Sequence, residues 1–274
     1  MASLAVTAPF GFTFDVLRFL RAYKALGVRS AQFYRNEKAP PTLNEALAIS
    51  SQAGVPFDSI HGVFGPHLDP SGPDAAHRAH CLKVYEDEGK LARDLGGPMV
   101  VVHPAAQTPD MRALSIAELM GEAPVRWPRL MEFMRELAAI GERLGVVYLI
   151  ENQPPNCPLG HDPKALAEGV AMIGSPKLKF CLDTGHAHMT SDTIKAVAEV
   201  SDVLAYLHIH DNDAKVDDHR MPGDGTIDWA AFGSALRMSG NQSPRMLEVF
   251  YDEARVEALV EAGYASELVR SCAL

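Results

Sequence analysis

The chain has no CxxC pair; its four cysteines, Cys81, Cys157, Cys181 and Cys272, lie far apart. That spacing argues against a thiolate metal centre or a disulfide framework and fits reduced, mostly buried thiols. Basic residues are in deficit, with 25 Lys and Arg against 35 Asp and Glu and a formal charge of −10. Tracking nucleic-acid phosphates or an anionic membrane needs clustered Lys and Arg, so neither surface is an expected partner. No apolar run approaches the roughly 20 residues of a membrane span. The opening MASLAVTAPFGF lacks a basic region followed by a sustained apolar stretch, so no signal peptide is expected and the cytoplasm is the expected compartment. Ser/Gly linkers, internal repeats and low-complexity tracts are also missing, which leaves no boundary to divide the chain. One domain over residues 1–274 is the expectation, since single α/β domains of roughly 200–250 residues are common.

What the chain has is alternation. Short runs of β-branched and apolar residues at 4–8, 30–34, 56–61, 99–103, 146–151, 178–183, 203–208 and 245–249 read as strands. Helix-period segments at 14–26, 42–53, 73–95, 129–144, 163–173, 191–200, 229–238 and 252–271 fall between and after them. The second helix opens on Thr42 with Glu45 three residues later, the pattern of a capping box. Residues 104–125 read as a long loop with one helical patch at 116–120, and loops of that length often bind ligands or act as lids. The run at 99–103 is almost uniformly apolar, as a strand buried on both faces should be. Eight strands and eight helices in strict alternation predict an α/β fold, a single parallel (β/α)8 barrel. With 47% hydrophobic residues, a large core is available.

Six of these strands end in a metal-ligand type of residue: His61, His103, Glu151, Asp183, His208 and Glu248. The C-terminal ends of parallel barrel strands converge on one mouth, where active sites sit. Residues spread over almost two hundred positions are thereby brought to one place. Three more candidates follow strand ends: His186 in DTGH, and Asp217 and His219 in an Asp-x-His pair ahead of the turn-forming MPGDG. Taken singly, a strand-end His or carboxylate is usually a satisfied polar residue. Several carboxylates buried together without a cation are costly, so the joint pattern points to a metal site. Imidazole and carboxylate without thiolate suit a borderline or hard divalent ion such as Mn2+, Zn2+, Co2+ or Fe2+, in one to three copies. His210 projects the same way as His208 and borders the site, as does His188. His67, His77, His80 and His161 are assigned no role.

The strings IEN, LDTGHA, HIHDN, D-x-H-x-x-P-G-x-G-x-I-D-W and LE, running from Glu151 to Glu248, resemble the xylose isomerase-like TIM-barrel superfamily. This group includes sugar isomerases and epimerases and endonuclease IV, and the resemblance covers nearly the whole chain. For the ketose 3-epimerases of the group it implies one divalent ion held by Glu151, Asp183, His208 and Glu248. The two Glu would be the acid/base pair, and His186 would bind substrate. His219 stands where those epimerases carry a substrate-binding Arg. His210, from its register with His208, is a candidate either to support a ligand from behind or to touch substrate. For endonuclease IV the resemblance implies a multinuclear set of His61, His103, Glu151, Asp183, His186, His208, Asp217, His219 and Glu248. The DNA-gripping loops of that enzyme are not recognisable in HGVFGPHLDP or after DTGHAHMTSD.

The expected function is therefore a divalent-metal-dependent isomerase or epimerase acting on a sugar, sugar phosphate or keto-polyol through an enediolate. A multinuclear phosphoesterase and a keto-polyol dehydratase or lyase are the alternatives. A small sugar-like substrate is the expected partner, and a homo-oligomer is compatible with the sequence. Abasic-site duplex DNA titrated at physiological salt should give no appreciable anisotropy change, because the charge of −10 offers no phosphate-tracking stripe. Tight, salt-dependent binding or incision of that DNA would favour the hydrolase instead.

Overall fold

A computed structural model describes residues 2–273. β1 (Leu4–Phe10), α1 (Val16–Ala25), β2 (Ser30–Arg35), α2 (Leu43–Ala53), β3 (Phe57–His61) and α3 (Ala75–Leu95) lead to β4 (Met99–Val102). A 3-10 turn (Pro109–Ala113), α4 (Ile116–Gly121) and α5 (Ala123–Leu144) precede β5 (Val147–Glu151). α6 (Pro163–Ile173) then enters β6 (Leu178–Asp183), and α7 (Thr184–Thr190) and α8 (Thr193–Val200) enter β7 (Leu204–Ile209). α9 (Trp229–Ser239), β8 (Arg245–Leu247), α10 (Glu253–Glu261) and α11 (Ala265–Ser271) follow. Every strand pairs in parallel with its sequence neighbours. β8 pairs with β1 through Ala5 and Met246, which closes the barrel expected from the alternation.

The two-residue period of each strand decides what faces the barrel axis. Outward residues such as Val6, Ile60, Val100, Ile150, Phe180 and Leu207 pack beneath the helices in the main core. Ala5, Val101, Leu149, Cys181, Tyr206 and Met246 form a separate cluster inside the barrel. Burying side chains the size of Leu149 or Met246 stabilises the fold by about 1.5–3 kcal/mol each. Two residues beyond five of these plugs, on the same face, come His103, Glu151, Asp183, His208 and Glu248. The dry plug therefore forms the floor beneath the polar mouth. All four cysteines are free thiols.

Four departures from the sequence reading have physical causes. The helix expected from 129 begins at Ala123, with Pro124 in its first turn and Pro128 inside it. A proline in the first turn needs no N–H partner, but Pro128 breaks the local helical signal. Tertiary structure overrides it: the buried Arg126 guanidinium meets Asp69 Oδ2 at 2.6 Å and Ser71 Oγ at 3.0 Å. Within the expected 104–125 loop the helical patch read at 116–120 is α4, preceded by a 3-10 turn. The segment 252–271 is two helices, split where Gly263 takes φ +76°. α7 was not expected at all, since DTGHAHMT has no apolar period; the Asp183 carboxylate caps it by accepting from His186 N at 2.7 Å. Finally, β8 stops at Leu247, so Glu248 lies just past its strand, as His103 lies just past β4.

The loop after β7 is organised by one carboxylate. Asp211 is fully buried. Its Oδ2 accepts from Gly223 N (2.9 Å), Gly225 N (3.0 Å) and Trp229 Nε1 (2.8 Å). Its Oδ1 accepts from Asn212 N (2.9 Å) and Ile227 N (3.2 Å). The Asp211 and Arg220 backbones pair reciprocally at 2.8 and 2.9 Å and close the loop that carries Asp217 and His219. Side-chain space at Gly225 is taken: a Cβ there would lie 2.3 Å from Asp211 Oδ1 and from the Asn212 carbonyl. Asp211→Asn keeps one acceptor oxygen and turns an NH2 toward buried donors. Urea unfolding should register a loss of about 2–4 kcal/mol, well above an ordinary surface substitution.

Candidate active site

The mouth of the barrel collects the strand-end residues around His208. Its Nδ1 lies 2.8 Å from Glu151 Oε1, 2.7 Å from Glu248 Oε2 and 3.9 Å from Asp183 Oδ2. Ligand atoms of Glu151, Asp183, His208 and Glu248 all fall within 4.8 Å of one another, and all four residues are buried. Three overlapping groups meet the same limit: His61, His103 and Glu151; Asp183, His186 and His210; and His210, His219 and Glu248. On the β4 side, Glu151 Oε2 lies 3.1 Å from His103 Nε2 and 3.7 Å from His61 Nε2. On the β7 side, Asp217 Oδ2 sits 3.1 Å from His186 Nε2 and 3.5 Å from His219 Nε2.

The local structure explains how each group is held. Asn152, next to Glu151, uses its amide like a strand partner. Its Oδ1 accepts from Asp183 N at 2.8 Å, and its Nδ2 donates to the Asp183 carbonyl at 3.0 Å. Its own carbonyl lies 2.9 Å from His186 Nδ1. Gly185 makes room for His210, because a Cβ at 185 would lie 2.0 Å from the His210 ring. The DTGH string therefore needs its glycine to seat His210, whose Nε2 approaches both Asp183 oxygens at 3.0 Å. His219 stacks on the His210 ring at 4.2 Å and 18°, and its Nδ1 lies 2.8 Å from the Glu248 carbonyl. That contact requires φ +47° at His219, a left-handed conformation uncommon outside glycine.

Protonation follows from crowding. Burial disfavours a charged His208, but Cys181, Glu248 and Glu151 together outweigh it and hold the imidazolium well above the usual histidine range. Burial likewise opposes charge on His186, yet Asp183 and Asp217 push it up to about 10. His219, against burial, is pushed up to about 9 by Asp217 and Glu248. Burial alone would raise Glu151 and Glu248; the His208 charge reverses this and holds both well below the usual carboxylate range. His103 differs, since burial lowers it despite Glu151. Histidine protons thus supply the positive charge that the carboxylates require.

Some oxygens remain unmet. Glu151 Oε2 and Glu248 Oε2 are buried without an aligned hydrogen bond, and so is Asp217 Oδ1. Orphaned carboxylate oxygens beside a converging His/Asp/Glu set are the donor chemistry of a hard or borderline divalent ion. The residues present therefore fit such an ion.

Above this floor lies a cavity of about 270 Å3. His61, His103, Glu151, His186, Asp217, His219 and Glu248 line it, with Tyr34, Phe64 and Phe250 as aromatic walls and Gln153 and Asn156 as amides. Asp183, His208 and His210 lie beneath it, fully buried. Of the two places expected for His210, behind a ligand or against substrate, it takes the first, lying against Asp183 and not among the lining residues. His188 sits at the edge, its Nε2 2.8 Å from Thr226 Oγ1. Sequence reasoning missed the aromatic walls, Asn152 and Gly185. Alternation along β2 could have found Tyr34, which faces inward with Gln32.

The chain matches the family described as xylose isomerase-like TIM barrel over residues 20–271. Its similarity to D-psicose 3-epimerase of Ruminiclostridium cellulolyticum is 29% identity over 216 residues, 76% of this chain and 68% of that protein. An uncharacterized protein of Methanocaldococcus jannaschii is 26% identical over 185 residues, 66% of this chain; the match spans 60% of that relative's length. Among solved structures, L-ribulose 3-epimerase superposes with a TM-score of 0.77 at 20% identity, covering 100% of this chain and 97% of that one. D-allulose 3-epimerase from Methylomonas sp. gives 0.77 at 15% identity, covering 98% and 96%. The closed eight-strand barrel and the family match over most of its length agree, and the chain belongs to the xylose isomerase-like TIM barrel family.

Proposed function

We propose that this protein is a divalent-metal-dependent sugar epimerase or isomerase acting on a ketose or keto-polyol. The observation that carries the reading is the convergence of Glu151 and Glu248 on one buried histidine nitrogen, each with a buried oxygen that makes no aligned hydrogen bond. Relatives named D-psicose 3-epimerase and fructoselysine 3-epimerase support it. So does the lining, whose carboxylates, imidazoles and amides suit hydroxyl groups while Tyr34, Phe64 and Phe250 suit the apolar face of a sugar.

Glu151, Asp183, His208 and Glu248 would hold the ion. When bound, it would act as a Lewis acid on adjacent carbonyl and hydroxyl oxygens and so acidify the C–H between them. Of the two glutamates, one takes that proton on a carboxylate oxygen, leaving an enediolate. The other, which takes up a proton from solvent or a neighbouring histidine before the step, delivers it to the opposite face and so inverts the carbon. His186 and His219, on the β7 side of the cavity, are placed to bind substrate hydroxyls. His210 and Asn152 hold Asp183 in position. The aromatic walls exclude water from the reacting carbon.

Metal-loaded protein in deuterated buffer should place deuterium in a ketose at the carbon beside the carbonyl, read by mass spectrometry over a small ketose panel. Glu151→Gln and Glu248→Gln should each lower net turnover by about 10²–10⁴-fold, while one of the two retains partial exchange. No deuterium in any ketose, together with metal-dependent cleavage of phosphate esters, would refute the epimerase reading.

A multinuclear phosphoesterase is favoured by one observation, the second group of His61, His103 and Glu151 within 4.8 Å. Metal counting separates the two. Under the epimerase reading, chelator-treated protein takes up one Mn2+ or Co2+, and its thermal midpoint rises. The stabilisation is about 4 kcal/mol at an ion concentration a thousand times Kd. Asp183→Asn should abolish the rise, and His61→Ala and His103→Ala should keep the wild-type metal-to-protein ratio. Two or three ions, lost on either His substitution, would favour the hydrolase.

A further inference from the structure

We propose that Gln32 is the positioning residue for His208: its amide oxygen accepts a hydrogen bond from Nε2–H and so leaves Nδ1 with its lone pair free for a cation. This rests on the metal-site reading above and adds to it a residue outside the ligand set. Gln32 projects into the barrel from β2 and, like His208, is fully buried. Its Nε2 lies 3.2 Å from His208 Nε2 and 3.2 Å from Ser59 Oγ, while Oε1 is buried without a partner.

The oxygen and nitrogen of a carboxamide exchange places by a half-turn about the last side-chain bond, with no change of shape. The outer oxygen, as placed, meets no donor. His208 and Ser59 are the contacts that bear on which way the amide is turned. The ring settles it. Nδ1 is the nitrogen directed at the glutamates, 2.8 Å from Glu151 and 2.7 Å from Glu248. A neutral imidazole has one proton, so a lone pair at Nδ1 places that proton on Nε2. The atom facing Nε2 must then be an acceptor, and the Gln32 oxygen is the atom that can take that place. As it stands the amide donates to Ser59 Oγ, and the single Ser59 hydrogen is directed at Asp58 Oδ1 (2.8 Å) or Tyr206 Oη (2.9 Å). With the amide turned, Ser59 redirects that one hydrogen to the Gln32 oxygen, and Asp58 keeps Ser30 and Tyr206 as donors. Such contacts behind a metal-bound histidine fix its tautomer and orientation.

The test compares Gln32→Met, which keeps the length and loses the acceptor, with Gln32→Glu, which keeps an acceptor oxygen. Calorimetric titration of chelator-treated protein with Mn2+ should show affinity reduced by about 10–100-fold in Gln32→Met. Gln32→Glu should stay near wild type. A single cooperative thermal transition without metal in all three proteins, followed by circular dichroism, should report intact folding. A second readout needs no variant: in 15N-histidine-labelled, Zn2+-loaded wild type, long-range 15N–1H NMR should place the His208 proton on Nε2. A proton on Nδ1, or wild-type affinity in a folded Gln32→Met, overturns the role of Gln32 while leaving the metal site standing. A wild-type chain that binds no divalent ion overturns both.

Discussion

Charge balance at the barrel mouth constrains everything around it. Glu151, Asp183 and Glu248 are buried within reach of one imidazole nitrogen, and carboxylates at that density are unstable in a dry interior unless positive charge accompanies them. Raised affinities for protons on His208, His186 and His219 are one answer, and a divalent ion is the other. The two compete, because a ligand nitrogen must lose its proton to bind a cation. The neighbouring chain segments make sense as supports for that balance. Asn152 locks the backbone of Asp183, Gly185 admits His210 against its carboxylate, and Gln32 stands behind His208.

The site separates rigid from adjustable parts. Ligand-type residues come from strand ends or the position just past them, where a parallel ladder fixes the backbone and a hydrophobic plug sits below. Apart from Tyr34 on β2, the cavity walls come from loops. Two of the loops around the mouth have a buried polar anchor: Arg126 with Asp69 for the segments around α4, and Asp211 for the turn that carries Asp217 and His219. Loops anchored in this way can differ between relatives in their outer residues without disturbing the floor, which is consistent with close superposition at 15–20% identity.

Most of the fold was legible because a parallel barrel writes itself as repeated apolar runs separated by helical periods, and eight such runs were countable. The converging His and carboxylate residues were legible for the same reason, since each ends a strand. Boundaries failed where a non-local or backbone term prevailed. Pro128 hid the first turn of α5, which Arg126 holds down by a contact to a residue far back in sequence. α7 escaped because Asp183, a strand-end residue, also caps a helix with no apolar face of its own. Gln32, Asn152 and Asp211 were invisible as supports for the opposite reason. A lone amide or carboxylate has no pattern, and its meaning lies in partners supplied by other strands and loops.

The placement of Glu248 has a consequence for how the chain comes together. Glu151, Asp183 and His208 arrive on β5, β6 and β7, but the fourth member waits for β8, whose pairing with β1 is also the step that seals the barrel. That pairing joins segments from opposite ends of the chain, and contacts of such long sequence separation form late because the loop they close is long. A partly assembled barrel therefore exposes an acidic, three-sided mouth. The complete set of four ligand-type residues comes together only with closure. On the proposed metal-dependent reading, ion capture would lock the slowest contact of the fold, and possession of a cation would mark a chain that has finished folding.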